Sequence, residues 1–183
     1  MRTDTFSARL RGVGVLAVLL AAFAAVLMVV VRTTSRSAPV VQSAALIQPV
    51  VALVILTAIV ILIMVVFRNF AFVRGAASGR YFKTFTTDKP DEWVERPTRT
   101  YMNLLELPVL FYVVCLLMLT TGKFDAVQVS LAYVFVITRY VHAFIYIGFN
   151  HVPLRFVAFM TGVLTLVVIW TSFAEQNLNW HLT

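Results

Sequence analysis

Five long apolar windows dominate the pattern of hydrophobic and polar positions along the chain. They cover residues 12–31, 44–67, 100–120, 126–147 and 152–173. Each is nearly free of charge and long enough, at about 1.5 Å per residue, to cross a hydrocarbon core of about 30 Å as a helix. The pattern therefore predicts an all-α integral membrane protein.

The composition supports this fold class. The chain has 183 residues, of which 61% are hydrophobic, and its mean hydropathy of +0.90 is far above that of an ordinary soluble domain. Its one cysteine, Cys115, lies inside an apolar window, so an internal disulfide is excluded.

The first window must be distinguished from a cleaved leader, because MRTDTFSARLR places a basic segment ahead of an apolar run. That run is longer than the apolar core of a signal peptide, which has about 7–15 residues. We therefore interpret residues 1–43 as a retained signal-anchor helix with a short external loop. We expect residues 44–183 to form a separate four-helix membrane domain.

The positions of lysine and arginine predict the orientation, because cytoplasmic loops carry an excess of both. The N-terminus and the polar segment 68–98 hold most of them and are predicted to be cytoplasmic, with the C-terminus external. This topology and attraction to anionic lipids explain the net charge of +7, so no nucleic-acid partner is expected. Segment 68–98 is rich in aromatic residues, and we expect part of it to lie on the membrane surface or to extend the second span.

Polar side chains recur at helical spacing on one face of the third span and on one face of the fourth. They are Arg99, Asn103 and Glu106 on the third span, and Arg139, His142 and Tyr146 on the fourth. Short connections make these spans antiparallel neighbours, and the depths of Glu106 and Arg139 match, so these charges are expected to face each other or a water-filled cavity. Arg155, at the start of the fifth span, is expected to join the cluster, with Arg68 or Arg74 nearby.

Two interpretations of this polar cluster are open. Buried ion pairs and interhelical amides often serve only to specify which helices pack together. However, an unpaired arginine at the bilayer centre costs roughly 2.5–3.5 kcal/mol, and packing does not explain the surplus of arginines around one carboxylate. The surplus favours a site for an anionic ligand. No metal site is expected, because the face that carries His142 has no second ligand at metal-binding spacing.

The stretch VERPTRTYMNLLELP resembles the signature of the MAPEG superfamily, the membrane-associated proteins of eicosanoid and glutathione metabolism. The stretch RYVHAFIYIGFNHVPLR is similar to that family's R-x-x-H/Y-x-x-x-Y segment, which is followed by an arginine that opens the last helix. The motifs are closest to bacterial members that resemble microsomal glutathione transferases. The resemblance implies a four-helix subunit assembled as a homotrimer, with glutathione bound between subunits near the cytoplasmic face. Residues 12–31 would be an extra N-terminal transmembrane helix.

The resemblance also implies roles for individual residues. Arg155 would be the catalytic residue, stabilising the glutathione thiolate, which is the nucleophile. The residues that would bind glutathione or support its pocket are Arg68 or Arg74, Arg99, Asn103, Glu106, Arg139, His142 and Tyr146. The chain departs from the family's prostaglandin E synthases at Phe156, where they have a serine, and at Met102, where they have an arginine.

The resulting expectation is a glutathione-dependent transferase or peroxidase that acts on hydrophobic electrophiles or lipid hydroperoxides entering from the bilayer. One alternative is a lipid-binding protein without catalysis, like the lipoxygenase-activating member of the family. Another is a structural or accessory subunit of a larger membrane complex. A bacterial inner membrane is the expected location, because the C-terminus shows no endoplasmic-reticulum retrieval motif.

Overall fold

The computed structural model describes residues 43–75, Tyr81 and residues 90–178. In this part of the chain it has four helices: α1 (Ser43–Val73), α2 (Glu92–Thr121), α3 (Ala126–Ile147) and α4 (Val152–Leu178). All four are long and apolar enough to cross a membrane. The all-α membrane bundle predicted from the last four windows is therefore confirmed, whereas the predicted span 12–31 lies outside the described residues.

The core forms where the four helices bury one stripe each. On α1 the buried side chains Leu46, Leu53, Leu56 and Val60 follow one another at steps that are typical of one helical face. Helix α1 lies against α2, and α3 lies against α4, while α2 contacts both α3 and α4. The remaining large apolar side chains, such as Leu62, point outward, as a bilayer environment requires.

Local signals in the sequence explain where α2 ends and α3 begins. Gly122 ends α2 in a left-handed conformation, with φ of 66°. Asp125 precedes the first residue of α3 and forms a capping box. Its side chain accepts from the backbone N–H of Gln128 at 2.9 Å, and the Gln128 side chain accepts from the backbone N–H of Asp125 at 3.1 Å. The tight connection makes α2 and α3 antiparallel neighbours.

Helices α1 and α2 meet at the opposite end of the bundle, beyond the predicted windows. Helix α1 continues past residue 67 to Val73, so the first part of the polar segment 68–98 extends the second span, which is one of the two expected arrangements. The Trp93 ring packs edge-on against Phe67 and Phe70, with centroid distances of 5.6 Å and 6.1 Å. We call this end, at which α2 and α4 begin, the site end.

Candidate functional site

A cavity of about 300 Å³ opens at the site end between α2, α3 and α4. It is lined by Asn103, His142, Tyr146, Val152, Arg155, Phe156 and Phe159. We call it the Arg155 cavity. The structure therefore brings together four of the predicted site residues: Asn103, His142, Tyr146 and Arg155.

Arg155 lies in the first turn of α4, and the structure holds its guanidinium in two ways. Its Cζ atom lies 4.0 Å from the centroid of the Tyr146 ring, within the range of a cation–π contact. Its Nη1 donates to Oδ1 of Asn150 at 2.6 Å. Within the described ranges no carboxylate forms a salt bridge with Arg155, so its positive charge is available to the cavity.

His142 forms the inner wall of the cavity and is 5% exposed. Its Nδ1 lies 3.1 Å from the backbone carbonyl oxygen of Arg155, which accepts, so Nδ1 carries the proton. In a neutral imidazole with that tautomer, Nε2 is an acceptor. This Nε2 is buried and has no hydrogen-bond partner among the described residues. Nε2 is therefore an unpaired acceptor within the wall of the cavity, beneath its accessible surface.

Arg139 lies behind this wall and is 2% exposed. Its Nη2 donates to the carbonyl oxygens of Ala158 and Phe159 on α4, at 3.1 Å and 3.0 Å. Gly162 makes this approach possible, because a Cβ atom at that position would lie 2.2 Å from Nη2. Arg139 thus fixes α3 to α4 and supports the cavity without lining it.

The predicted contact between Glu106 and Arg139 is wrong. Glu106 is exposed on the surface of α2, while Arg139 is turned toward α4. Residue spacing placed each side chain on a helical face correctly, but it did not show which neighbouring helix that face would meet. Helix α3 packs more extensively on α4 than on α2, and two α4 carbonyl groups accept from Nη2 of the guanidinium, whose Nε has no hydrogen-bond partner among the described residues.

The remaining predicted arginines lie outside the Arg155 cavity. A second cavity of about 170 Å³ at the site end is lined by Arg68, Tyr81, Pro90, Val94, Glu95, Thr98, Arg99 and Met102. We call it the Arg99 cavity. Arg74 lies in neither cavity, and its guanidinium stacks on the Phe70 ring at 4.2 Å.

Glu95 determines the surroundings of Arg99. The Arg99 Nη2 donates to Oε2 of Glu95 at 2.6 Å, and Glu95 also accepts from the Tyr81 hydroxyl. The two cavities share no lining residue. The predicted polar cluster is therefore divided into two parts at the site end.

Sequence reasoning missed three residues that shape the site. Asn150 accepts a hydrogen bond from Arg155, Gly162 leaves room for the Arg139 guanidinium, and the Phe159 ring lines the cavity. Signals existed for two of them. Asparagine in a short connection is typical of a left-handed turn, and glycine in a membrane helix is typical of close approach by a neighbouring helix. A phenylalanine in an apolar span carries no such signal.

Comparison with known proteins gives one match. The family model described as the MAPEG family matches residues 46–174, which is more than half of the chain. The matched segment contains all the residues that line the Arg155 cavity. Comparisons with curated proteins and with solved structures find no match.

Proposed function

The chain belongs to the MAPEG family, and we propose that it is a glutathione-dependent membrane transferase or peroxidase acting on hydrophobic electrophiles or lipid hydroperoxides. One observation carries this proposal. The Arg155 guanidinium lines a cavity whose other polar side chains are neutral. Among the described residues, no carboxylate forms a salt bridge with it. Such a site suits a ligand with one negative centre and several hydrogen-bonding groups.

The chemistry of the donor set fits glutathione, which has a thiol, two amides, an amine and two carboxylates. Asn103, Tyr146 and His142 are neutral polar side chains in the lining of the Arg155 cavity. Arg99 and Arg68 line the Arg99 cavity and would bind a carboxylate. When bound, glutathione would supply a thiol sulfur that attacks the electrophilic atom of the second substrate.

In this proposal the chain's own residues prepare that sulfur. Arg155 would stabilise the thiolate, because a neighbouring cation lowers the pKa of a thiol. Stacking on Tyr146 would hold the guanidinium in place while it does so. Val152, Phe156 and Phe159 would exclude water and receive a hydrophobic substrate from the bilayer.

We further propose that the chain assembles as a homotrimer in a bacterial inner membrane, with the site end on the cytoplasmic side. The exposed position of Glu106 supports a neighbouring copy. An ionised side chain facing lipid at mid-bilayer costs roughly 2.5–3.5 kcal/mol, and a second subunit over this face of α2 would remove that cost. Native mass spectrometry from lipid nanodiscs tests the assembly. A monomeric species under conditions that preserve other membrane trimers would contradict it.

Calorimetric titration of glutathione into the full-length protein in lipid nanodiscs tests the function directly. We expect binding, the ultraviolet absorbance of a thiolate in the complex, and conjugation of chlorodinitrobenzene. Arg155→Ala should abolish the thiolate signal and lower the rate of conjugation roughly 100-fold or more, as for loss of a group that stabilises developing negative charge. Lys123→Ala is the matched control, because it removes one positive charge at the opposite end of the bundle.

The outcomes separate the proposed function from its mechanism. Wild-type protein that is folded and trimeric but does not bind glutathione would refute the function. Binding and conjugation that are unchanged in Arg155→Ala would instead refute the role of Arg155.

A lipid-binding protein without catalysis is the second candidate, and a specific observation favours it. Three apolar side chains, Val152, Phe156 and Phe159, line the Arg155 cavity, and Phe156 is 44% exposed. This alternative requires that a fatty-acid probe binds while glutathione neither binds nor competes with it. The same titration, repeated with a fluorescent fatty acid, distinguishes the two candidates.

A further inference from the structure

The short connection between α3 and α4 links Arg155 to the start of α2. Arg155 donates to Oδ1 of Asn150, and Nδ2 of Asn150 donates to Oε1 of Glu92. The other carboxylate oxygen of Glu92 accepts from Nη2 of Arg96 at 3.3 Å, and Nη1 of Arg96 donates to the carbonyl oxygen of Gly148 at 3.0 Å. The Asn150 amide therefore lies between a cation of the cavity and a carboxylate outside it.

The backbone fixes the position of this amide. Asn150 has φ of 49°, in the left-handed region that asparagine adopts more readily than most residues other than glycine. The backbone N–H of Asn150 donates to the carbonyl oxygen of Ile145 at 2.7 Å, which connects the turn to the end of α3. The Asn150 side chain is thus held at the mouth of the cavity by the turn that connects the two helices.

The chemistry of an amide at this point differs from that of a carboxylate. The amide oxygen accepts a hydrogen bond from the guanidinium and leaves its charge intact, whereas a carboxylate in the same place would form an ion pair with it. The nearest carboxylate in this chain of contacts, Glu92, is held one side chain further away and is also paired with Arg96.

We propose that Asn150 is a positioning residue for Arg155: its amide aims the guanidinium into the cavity and separates it from Glu92, so that the cation is available to a bound thiolate. This inference rests on the proposed glutathione-dependent function of the same site. It adds a residue from the connection between α3 and α4 to the groups that control reactivity.

Three variants test it in full-length protein in nanodiscs, with the thiolate absorbance of bound glutathione titrated against pH. Asn150→Asp keeps the shape and the left-handed turn but places a carboxylate on Arg155, and it also replaces the Nδ2 donor to Glu92 with a second carboxylate oxygen. We expect it to raise the pKa of the bound thiol by about one unit or more, which lowers the thiolate fraction about tenfold below that pKa. Asn69→Asp is the matched control, because it adds the same charge at the site end, on an exposed part of α1.

Asn150→Gly keeps the left-handed backbone and removes the amide, so it decides the matter if the aspartate variant does not fold. We expect its kcat for conjugation to fall while its KM for glutathione stays close to that of the wild type, because the residue acts through Arg155 and does not touch glutathione. Thiolate titrations of both Asn150 variants that coincide with those of the wild type and of Asn69→Asp would overturn the inference. Wild-type protein that forms no thiolate would instead refute the proposed function.

Discussion

Substituting Gly162 by alanine should destabilise the bundle, although the same change in the interior of most helices stabilises. Alanine normally gains about 0.5–1 kcal/mol over glycine in a helix because it reduces the freedom of the unfolded chain. At this position the added methyl group would lie 2.2 Å from Nη2 of Arg139, which no real Cβ contact permits. The Arg139 guanidinium must move away.

The cost follows from what Arg139 would lose. Its two hydrogen bonds to the carbonyl groups of Ala158 and Phe159 are interhelical, and such bonds in membranes contribute about 0.6 kcal/mol on average and at most about 1.7. Overpacking of a close contact adds about 1–3 kcal/mol. With average hydrogen bonds and a mid-range overpacking cost, less the helix gain, the net cost is about 2.5 kcal/mol. For a chain of this size, that cost corresponds to a lowering of Tm by about 5–10 °C.

A double-mutant cycle with Arg139→Met isolates this contact. The measurement is thermal unfolding and SDS-titrated unfolding in one detergent. With methionine at position 139, Gly162→Ala should cost less than in the wild type by the contribution of Arg139 alone, which gives a coupling free energy of about 2–3 kcal/mol. Thr138 Oγ1 would lie 2.7 Å from the same methyl group in both backgrounds, so its contribution cancels. A Gly162→Ala protein as stable as the wild type would refute the proposed packing of Arg139.

Substitutions at three further positions test binding, capping and packing separately. Tyr146→Phe should leave the thiolate absorbance of bound glutathione unchanged, because the aromatic ring against Arg155 remains. Tyr146→Leu removes that ring and should lower the absorbance. Ultraviolet titration measures the absorbance of both variants. Asp125→Ala removes the capping box of α3 and should cost about 1 kcal/mol in SDS-titrated unfolding. Phe111→Ala removes a fully buried ring that stacks on Phe135 at 4.7 Å, and should cost roughly 2–3 kcal/mol in the same assay, at about 24 cal/mol per Å³ over a cavity of roughly 100 Å³.

The helices could be predicted from the sequence because the bilayer imposes a length and an apolar composition on each span. The window 126–147 coincides with α3, since Asp125 and Gly148 mark its ends with a cap and a turn. Helices α1 and α2 run beyond their windows at the site end, where aromatic contacts around Trp93 hold them together outside the apolar region. Hydropathy does not report such contacts, so the windows ended early.

The membership of the site could be predicted only in part. Helical spacing grouped His142 and Tyr146 correctly, because both lie on the same buried stripe of α3. It could not determine the partner of Arg139, because that partner is a pair of backbone carbonyl groups made accessible by Gly162. Backbone acceptors have no signature in the sequence, so a search for complementary side chains chose Glu106 instead.

The predicted arginines do not gather in one cavity, and this changes the interpretation of the surplus of positive charge in the sequence. The Arg99 charge is paired with Glu95, and Arg139 donates to two backbone carbonyl groups without lining the Arg155 cavity, so neither acts as a free cation in that cavity. Among the described residues that line that cavity, Arg155 alone is cationic, and only an amide separates it from Glu92. One cation is what a single thiolate requires. In the proposed function, a carboxylate of the ligand would therefore have to reach the separate Arg99 cavity, which Arg99 and Arg68 line.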